Sequence, residues 1–414
     1  MSNTTAATPV AASVAHYTGS LDDAVFRVVR DAAAAVPAFA ARLAAAGLDA
    51  DSIRGVADLA ALPILTKDDV LAQQQAEPPF GGLLAPGARV SRVFQSPGPL
   101  YEPQLSGADP WRWGQALSSM GIGADDTVLN CFGYHLSPAG AMFEEGCLAV
   151  GARVLPGGIG TQDLQARAIA DLGVTAYTGL PSYLKALVDR FDELGLDRDR
   201  WRLERALVTA EPLPDSLRAL LEERVSIVRM AYGTAETGLL AYECEPDAGL
   251  VLADGVLVEI CDLDNGAPIT AGEGQVVITL LRPEYPLVRF GTGDVSAWVE
   301  GRDGAPRLAG VLGRVGQAVK VRGMFLHPRQ AQTAMAGIEG VTAWQLVVDR
   351  RDHLDQLRCD VVLAEGVQSS GDGDRVLDVV RDRVRAGLRF SSEVVAVKAL
   401  PADAPVISDV RDWS

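Results

Sequence analysis

The stretch Val174–Leu194, "VTAYTGLPSYLKALVDRFDEL", decides the fold class. "VTAYTG" is a strand-like run that ends on a turn glycine. "PSYLKALVDRFDEL" is helix-like, with proline in its first turn, where the missing N–H is not needed. The same unit continues in both directions. Upstream, "TVLNCFG" is an apolar strand, "AGAMFEEGCLAVG" a helix ended by Gly151, "ARVLPGG" a short strand and turn, and "QDLQARAIADLG" an amphipathic helix stopped by Gly173. Downstream, "RALVTA" is a strand, "LPDSLRALLEERV" a helix, and "IVRMAYG" begins as a strand. From Asp126 to Ala231, strands therefore alternate with helices. That order predicts a parallel α/β sheet, with ligands where the strands end.

Outside this region the pattern changes. Gly249–Glu300 reads as strands joined by turns, as in "VLVEICD" and "GQVVITLL". After Gly313, "AWQLVVD", "LRCDVVLA", the helix "DRVLDVVRDRVRAGL" and "EVVAVKAL" form a small α+β unit, with "GVQSSGDGD" as a polar loop. The expected domains are residues 1–312 and 313–414, joined at Gly313–Gly316. The 414 residues are 48% hydrophobic and 22% charged, enough for a large core. A net charge of −17 argues against nucleic acid or anionic membrane surfaces as partners. "AAAAVPAFAA" (Ala32–Ala41) is too short to span a membrane and carries Pro37, so it reads as a surface helix packing on its alanines and Phe39. No cationic segment with an apolar core precedes it, and a cytoplasmic location is expected. Cys131, Cys147, Cys244, Cys261 and Cys359 are scattered, which fits reduced thiols with neither a disulfide frame nor a zinc site.

The strand ends carry the chemistry. "TAEP" (Thr209–Pro212) puts Glu211 directly after a strand. "AYGTAETG" (Ala231–Gly238) combines an aromatic, glycines and Glu236. "RFGTGD" (Arg289–Asp294) sets Asp294 after a glycine turn, and Gly313–Arg314 opens the last unit. An aromatic can stack on a base, one carboxylate can hold ribose hydroxyls and another Mg²⁺. Each glycine turn alone is ordinary; the four in this order argue for a nucleoside site.

With these motifs on the page, the chain resembles the phenylacetate–CoA ligase family of the adenylate-forming superfamily, over nearly its whole length. "LPILTKDDV" (Leu62–Val70), "NCFGYHLSPAGAMFEEGCLAVGARVLPGG" (Asn130–Gly158), "TGLPSYL", "TAEPLPDSLRALLEER", "AYGTAETG", "EYPLVRFGTGD" and "GRVGQAVKVRGMFLHP" match in order. The resemblance implies a large N-terminal adenylate-forming domain with parallel sheets and a β-subdomain, and a small mobile α+β C-terminal domain. It implies an acid–CoA ligase using ATP or AMP, CoA and Mg²⁺ on an aryl or short-chain carboxylic acid, through acyl-AMP; a homodimer is compatible with it. Nucleotide binding would fall to Ala210, Glu211, Tyr232 (against adenine), Gly233, Thr234, Asp294 (ribose hydroxyls) and Arg314. Glu236 would hold the metal. Phe132, Tyr134, Ser137, Ala139 and Gly140 would line the acyl pocket, and Lys320, Arg322 and Gly323 would face CoA.

Three departures stand out. "FQSPGPLYEP" (Phe94–Pro103) occupies the family's phosphate loop, yet Pro97 and Pro99 offer no N–H to an anion, and Glu102 stands where the family has a lysine. Gly316 replaces the hinge acid. Pro405, in "LPADAPVISDVRDW", replaces the C-terminal catalytic lysine, and none of Lys67, Lys185, Lys320 and Lys398 matches that place. Arg411 is the nearest cation that a shifted tail could offer. The loop is either a pocket rebuilt for something other than a triphosphate or the result of drift. Three functions stay open: a ligase with unusual replacements, an enzyme keeping only the thioester half-reaction, and a non-catalytic nucleotide or acyl-CoA binder. His16, His135, His327 and His353 form no argued triad, and Trp111–Trp113 reads as helix packing.

Overall fold

The computed structural model describes residues 9–96, 99–315, 319–322, 324–326, 328–352, 354–370, 372–401 and 404–411. It divides into two compact units, residues 1–213 with 218–315, and 214–217 with 316–414. Gly316, Gly323, His327 and His353, like Pro97 and Gly98, lie outside the described residues.

In the large unit a hairpin of β1 (Val90–Gln95) and β2 (Tyr101–Leu105) comes first. The main sheet follows: β3 (Thr127–Asn130), β4 (Arg153–Pro156), β5 (Ala176–Gly179), β6 (Arg205–Val208), β7 (Ile227–Thr234), β8 (Gly238–Tyr242) and β9 (Val251–Leu252). Their order is β4-β3-β5-β6-β7-β8-β9. Strands β3 to β7 pair in parallel, and β8 and β9 are antiparallel additions. Val128, Leu129, Ala176, Tyr177, Ala206, Leu207 and Val208 are fully buried, because helices cover both faces of a parallel sheet. That double coverage is why the strands are continuous apolar runs in the sequence. Helix Pro181–Glu193 starts on its proline, and helix Gln162–Leu172 stops where Gly173 takes φ +60°.

A second, antiparallel sheet contains β10 (Val256–Cys261), β11 (Glu273–Leu280), β12 (Phe290–Glu300), β13 (Pro306–Leu308) and β14 (Gly313–Arg314), which pairs with β12. Arg289, just before β12, is buried to 1% exposure. Its guanidinium donates to the carbonyls of Leu59, Ala60, Leu62 and Gly266 and so ties the N-terminal segment to this sheet.

The small unit has a hairpin, β15 (Val319–Val321) and β16 (Met324–Leu326), and a four-stranded sheet of β17 (Val341–Arg351), β18 (Leu354–Leu363), β19 (Glu393–Ala396) and β20 (Ile407–Asp409). The sheet order is β19-β18-β17-β20. Helix Gly373–Leu388 buries Val380, Val384 and Leu388, four residues apart on one face, in a core with Leu346, Leu357 and Val361.

Three local expectations change. The Ala32–Ala41 stretch is two helices, Asp22–Ala35 and Pro37–Ala45, because Pro37 has no N–H with which to continue the first one and instead opens the second. The segment expected as a polar loop contains a short helix, Glu365–Ser370. The strand in "EVVAVKAL" ends at Ala396, before Lys398. Among the described residues, no helix is long and apolar enough to cross a membrane.

Candidate functional site

The ends of β5, β6 and β7, together with the start of β12, gather most of the sequence-predicted residues in the large unit. Tyr232, on β7, sends its hydroxyl 2.8 Å from Asp294 Oδ2 as donor, with Thr292 Oγ1 at 3.2 Å. Arg314 Nη1 pairs with the other carboxylate oxygen, Asp294 Oδ1, at 2.9 Å. The pairing of β12 with β14 sets Arg314 directly opposite Asp294, so the register makes this ion pair. Burial raises the Tyr232 phenol well above its ordinary value, and the Asp294 charge adds to that. The hydroxyl is therefore a permanent donor, and it fixes the carboxylate.

Around this trio the backbone is tightly set. Ala210 holds a left-handed φ of +71°, which an alanine adopts only when its surroundings impose it. Next to it, Glu211 accepts a 2.6 Å hydrogen bond from Ser182 Oγ, at the start of the helix that follows β5. A Cβ on Gly233 would lie 2.4 Å from the carbonyl of Gly238, so no larger residue fits there. Thr234 and Thr237 share a 2.9 Å hydroxyl contact across the β7–β8 turn.

The acyl-loop residues are organised by a residue that sequence reasoning passed over. Asn130 Nδ2, at the end of β3, donates to Tyr134 Oη and to the Gly140 carbonyl, both at 2.8 Å. Its Oδ1 accepts from the Phe132 N–H and from Thr178 Oγ1, each at 3.2 Å. Gly140 N donates to the Gly133 carbonyl and closes the loop. Phe132 is buried and stacks on Phe143, with centroids 4.4 Å apart, and Phe143 in turn packs on Trp113. Ser137 Oγ accepts from the Ala139 N–H and shapes the entrance to the helix Ala139–Ala149. His135 is exposed. Trp111 and Trp113 are both buried, with Trp113 opening a short helix.

Glu236 meets a partner that the sequence did not suggest. Lys67 Nζ lies 2.6 Å from Glu236 Oε1, and the two side chains are only 23% and 6% exposed. Lys67 begins the helix Lys67–Ala76, whose N-terminus is fixed by a reciprocal Thr66–Asp69 capping box. Burial pushes the Glu236 carboxyl up, but the Lys67 ammonium more than offsets this and leaves it below its usual value. Glu102, on β2, is buried beside them, with Ser96 Oγ donating to its Oε1 at 3.3 Å. Burial, then the Glu236 charge, raise Glu102 to about 8, against the pull of Lys67 and Ser96. A lysine in the first turn of a capped helix reads as a surface residue; only the fold brings it to β7.

The small unit holds Lys320 on β15 and Arg322 just after it. Arg322 is bound within that unit: its N–H donates to Asp355 Oδ2 at 3.1 Å and its Nε to the Asp355 carbonyl at 2.8 Å. The Pro405 carbonyl accepts from Gln345 Nε2 at 2.9 Å. Arg411 pairs with Asp355 at 3.0 Å and with Asp409 at 2.6 Å.

The family model described as "AMP-binding enzyme" matches residues 111–279, which cover the main sheet and the ends of β5, β6 and β7, while Asp294 and Arg314 lie beyond it. Phenylacetate-coenzyme A ligase of Thermus thermophilus is 28% identical over 350 residues, 80% of this chain and 78% of that protein. The enzyme of the same name from Escherichia coli K12 is 28% identical over 381 residues, 87% and 86% of the two chains. In structure, a 2-hydroxyisobutyryl-CoA ligase solved with its acyl-AMP and CoA aligns at a TM-score of 0.87, with 22% identity, over 96% of this chain and 91% of that one. An amide bond synthetase from Marinactinospora thermotolerans aligns at 0.55, with 19% identity, over 75% and 65%. The chain thus shares its fold with solved CoA ligases, and its residues 111–279 match the AMP-binding enzyme model. Among curated proteins the chain is similar to phenylacetate–CoA ligases over most of its length, at 26–28% identity.

Proposed function

We propose that this protein works within acid–CoA ligase chemistry on an aryl or short-chain carboxylic acid, handling its acyl-adenylate and thioester, and that its own adenylation step is severely impaired. The observation that carries the reading is an asymmetry. The adenosine-side residues Tyr232, Asp294 and Arg314 form one hydrogen-bonded set. The triphosphate side presents Glu102 in place of a cation, and Pro405 stands in the place of the C-terminal lysine.

In this reading Asp294, held by Tyr232 and Arg314, accepts from the ribose hydroxyls. The backbone around Ala210 and Gly233 lies close to the nucleotide. The Asn130-organised loop, with the Phe132 ring behind it, holds the acyl group. Lys320 and Arg322 of the small unit, the domain expected from residue 313 onward, serve CoA. Losing one preorganised charge at a developing transition-state charge costs about 3–4 kcal/mol, or roughly 10²–10³ in rate, and two lysines are missing here. Arg411 does not offer a substitute while it is only 6% exposed and paired with two aspartates.

The test separates the half-reactions. ATP–pyrophosphate exchange with a panel of aryl and short-chain acids should be undetectable, while synthetic acyl-AMP plus CoA should give acyl-CoA. Robust exchange, abolished by Arg411→Ala, would restore a complete ligase. Tight AMP or acyl-CoA binding without either reaction would make the protein a binder.

A further inference from the structure

The subsite that would take a metal-bound triphosphate does not fit one here. Glu236 Oε1 is occupied by the Lys67 ammonium at 2.6 Å, and a dication on the same carboxylate would lie against that charge. Among the described residues, no group of three or more acidic, histidine or cysteine side chains is placed to hold a metal ion. The remaining oxygen, Glu236 Oε2, is buried without a hydrogen-bond partner. Glu102 adds a second carboxyl to the same pocket, held from behind by Ser96. Pro99 cannot donate an N–H to a phosphate, and Ser96 N, which could, is engaged with the Leu100 carbonyl at 2.9 Å.

We propose that Lys67, between Glu236 and Glu102, is a built-in counter-ion that takes the place of the divalent metal, so that the site accepts an adenosine monophosphate ester without metal and turns away the triphosphate. This rests on the function proposed above and specifies its ligand. The energetic logic is direct. A buried carboxylate needs a cation, and a fixed ammonium supplies one without a binding equilibrium. A monophosphate ester, whose charge lies next to the ribose, meets Arg314 and stays clear of the two glutamates. A β,γ-diphosphate would extend toward Glu102, which offers it no cation while protonated and, once ionised above a pKa of about 8, repels it in a poorly solvated pocket. The cation that the family pattern places on a loop lysine is thus missing at Glu102, and Lys67 brings one to Glu236 from a helix N-terminus instead.

The test is calorimetric titration of the full chain with AMP and with ATP, each in EDTA and in excess Mg²⁺. AMP should bind equally in both buffers, and ATP about tenfold or more weaker, a gap of about 1.4 kcal/mol or larger. The gap should widen from pH 7 to pH 9 as the Glu102 carboxyl ionises, and Glu102→Gln, which keeps a polar partner for Ser96, should abolish that widening. Lys67→Met should make AMP binding depend on Mg²⁺, with circular dichroism confirming its fold. AMP binding that strengthens tenfold with Mg²⁺ in the native chain, or ATP with Mg²⁺ binding as tightly as AMP, would overturn the proposal. A parallel assay of thioester formation from acyl-AMP and CoA separates the two ideas. Metal-independent AMP binding without thioester formation supports the counter-ion and sinks the proposed activity. Thioester formation with metal-dependent AMP binding overturns the counter-ion alone.

Discussion

Replacing Glu259 by glutamine should stabilise the large unit at alkaline pH and do little at acid pH. Glu259 sits on β10, 3% exposed, with both carboxylate oxygens lacking a hydrogen bond and Arg289 Nε 3.8 Å away. Burial raises its pKa from 4.5 to about 7, although the Arg289 charge pulls the other way. A folded-state value above the unfolded one means that the native protein favours the proton. The stability this gives is fully present below the unfolded value of 4.5 and is lost as pH rises through about 7. The difference corresponds to about 3 kcal/mol between the two ends of that window. Glutamine is neutral throughout, so Glu259→Gln should abolish that loss. Arg289 keeps its Nη1 and Nη2 contacts in the variant, to the carbonyls of Leu59, Ala60, Leu62 and Gly266, and its Nε lacks a hydrogen bond in the native chain already. Urea unfolding, followed by tryptophan fluorescence at pH 5 and pH 8, reads the effect as a widening gap between variant and native midpoints. Parallel profiles would refute the reasoning. A variant weaker than the native chain at pH 8 would show that the Glu259–Arg289 attraction outweighs desolvation.

Other outcomes follow from the site. Asp294→Ala leaves Arg314 buried without its carboxylate; breaking such a pair costs about 3–5 kcal/mol, so thermal unfolding should begin earlier, and calorimetry should show AMP binding lost. Gly140→Ala puts a Cβ 2.8 Å from the Gly133 carbonyl and from the Tyr134 ring, so acyl-CoA formation should fall while AMP affinity changes little. Pro405→Lys alone should give no pyrophosphate exchange, because Glu102 still faces the phosphate side; measurable exchange in that variant would show that the loop is not disabled.

What the sequence revealed depended on how each feature is encoded. The parallel strands were legible because burial on both faces makes each one an apolar run bounded by glycine. Tyr232, Glu236, Asp294 and Arg314 stood out because they lie in glycine-containing motifs of fixed order, near strand ends and turns. The β12–β14 register that pairs Arg314 with Asp294 did not, since a two-residue strand carries no periodicity. Lys67 was missed for a physical reason: its local context, a capped helix start, explains it fully without reference to β7. Glu102 stood out as an acid where the resemblance implies a cation, but its neighbours Lys67 and Glu236 come from distant segments, so its environment could not be read from the loop. Pro37 was seen as incompatible with a membrane span, yet its power to divide one helical stretch into two was not applied.

The tail of the small unit has a mechanical consequence. β19 and β20 are the two outer strands of the sheet, and the described residues 397–401 and 404–406 lie between them in sequence. These residues are tied at three points: Val397 N to the Val361 carbonyl, Gln345 Nε2 to the Pro405 carbonyl, and Leu346 N to the Val406 carbonyl. Whatever side chain stands at position 405 is therefore aimed by a backbone held on both sides. It behaves as a fixed fitting, not as an arm that reaches for a substrate. An engineer wishing to restore a cation should change the length of the tail before its chemistry. Extra residues between Pro401 and Ala404 would free the segment at small entropic cost, about 0.6 kcal/mol for each doubling of a flexible loop, and only then would a lysine there have somewhere to go.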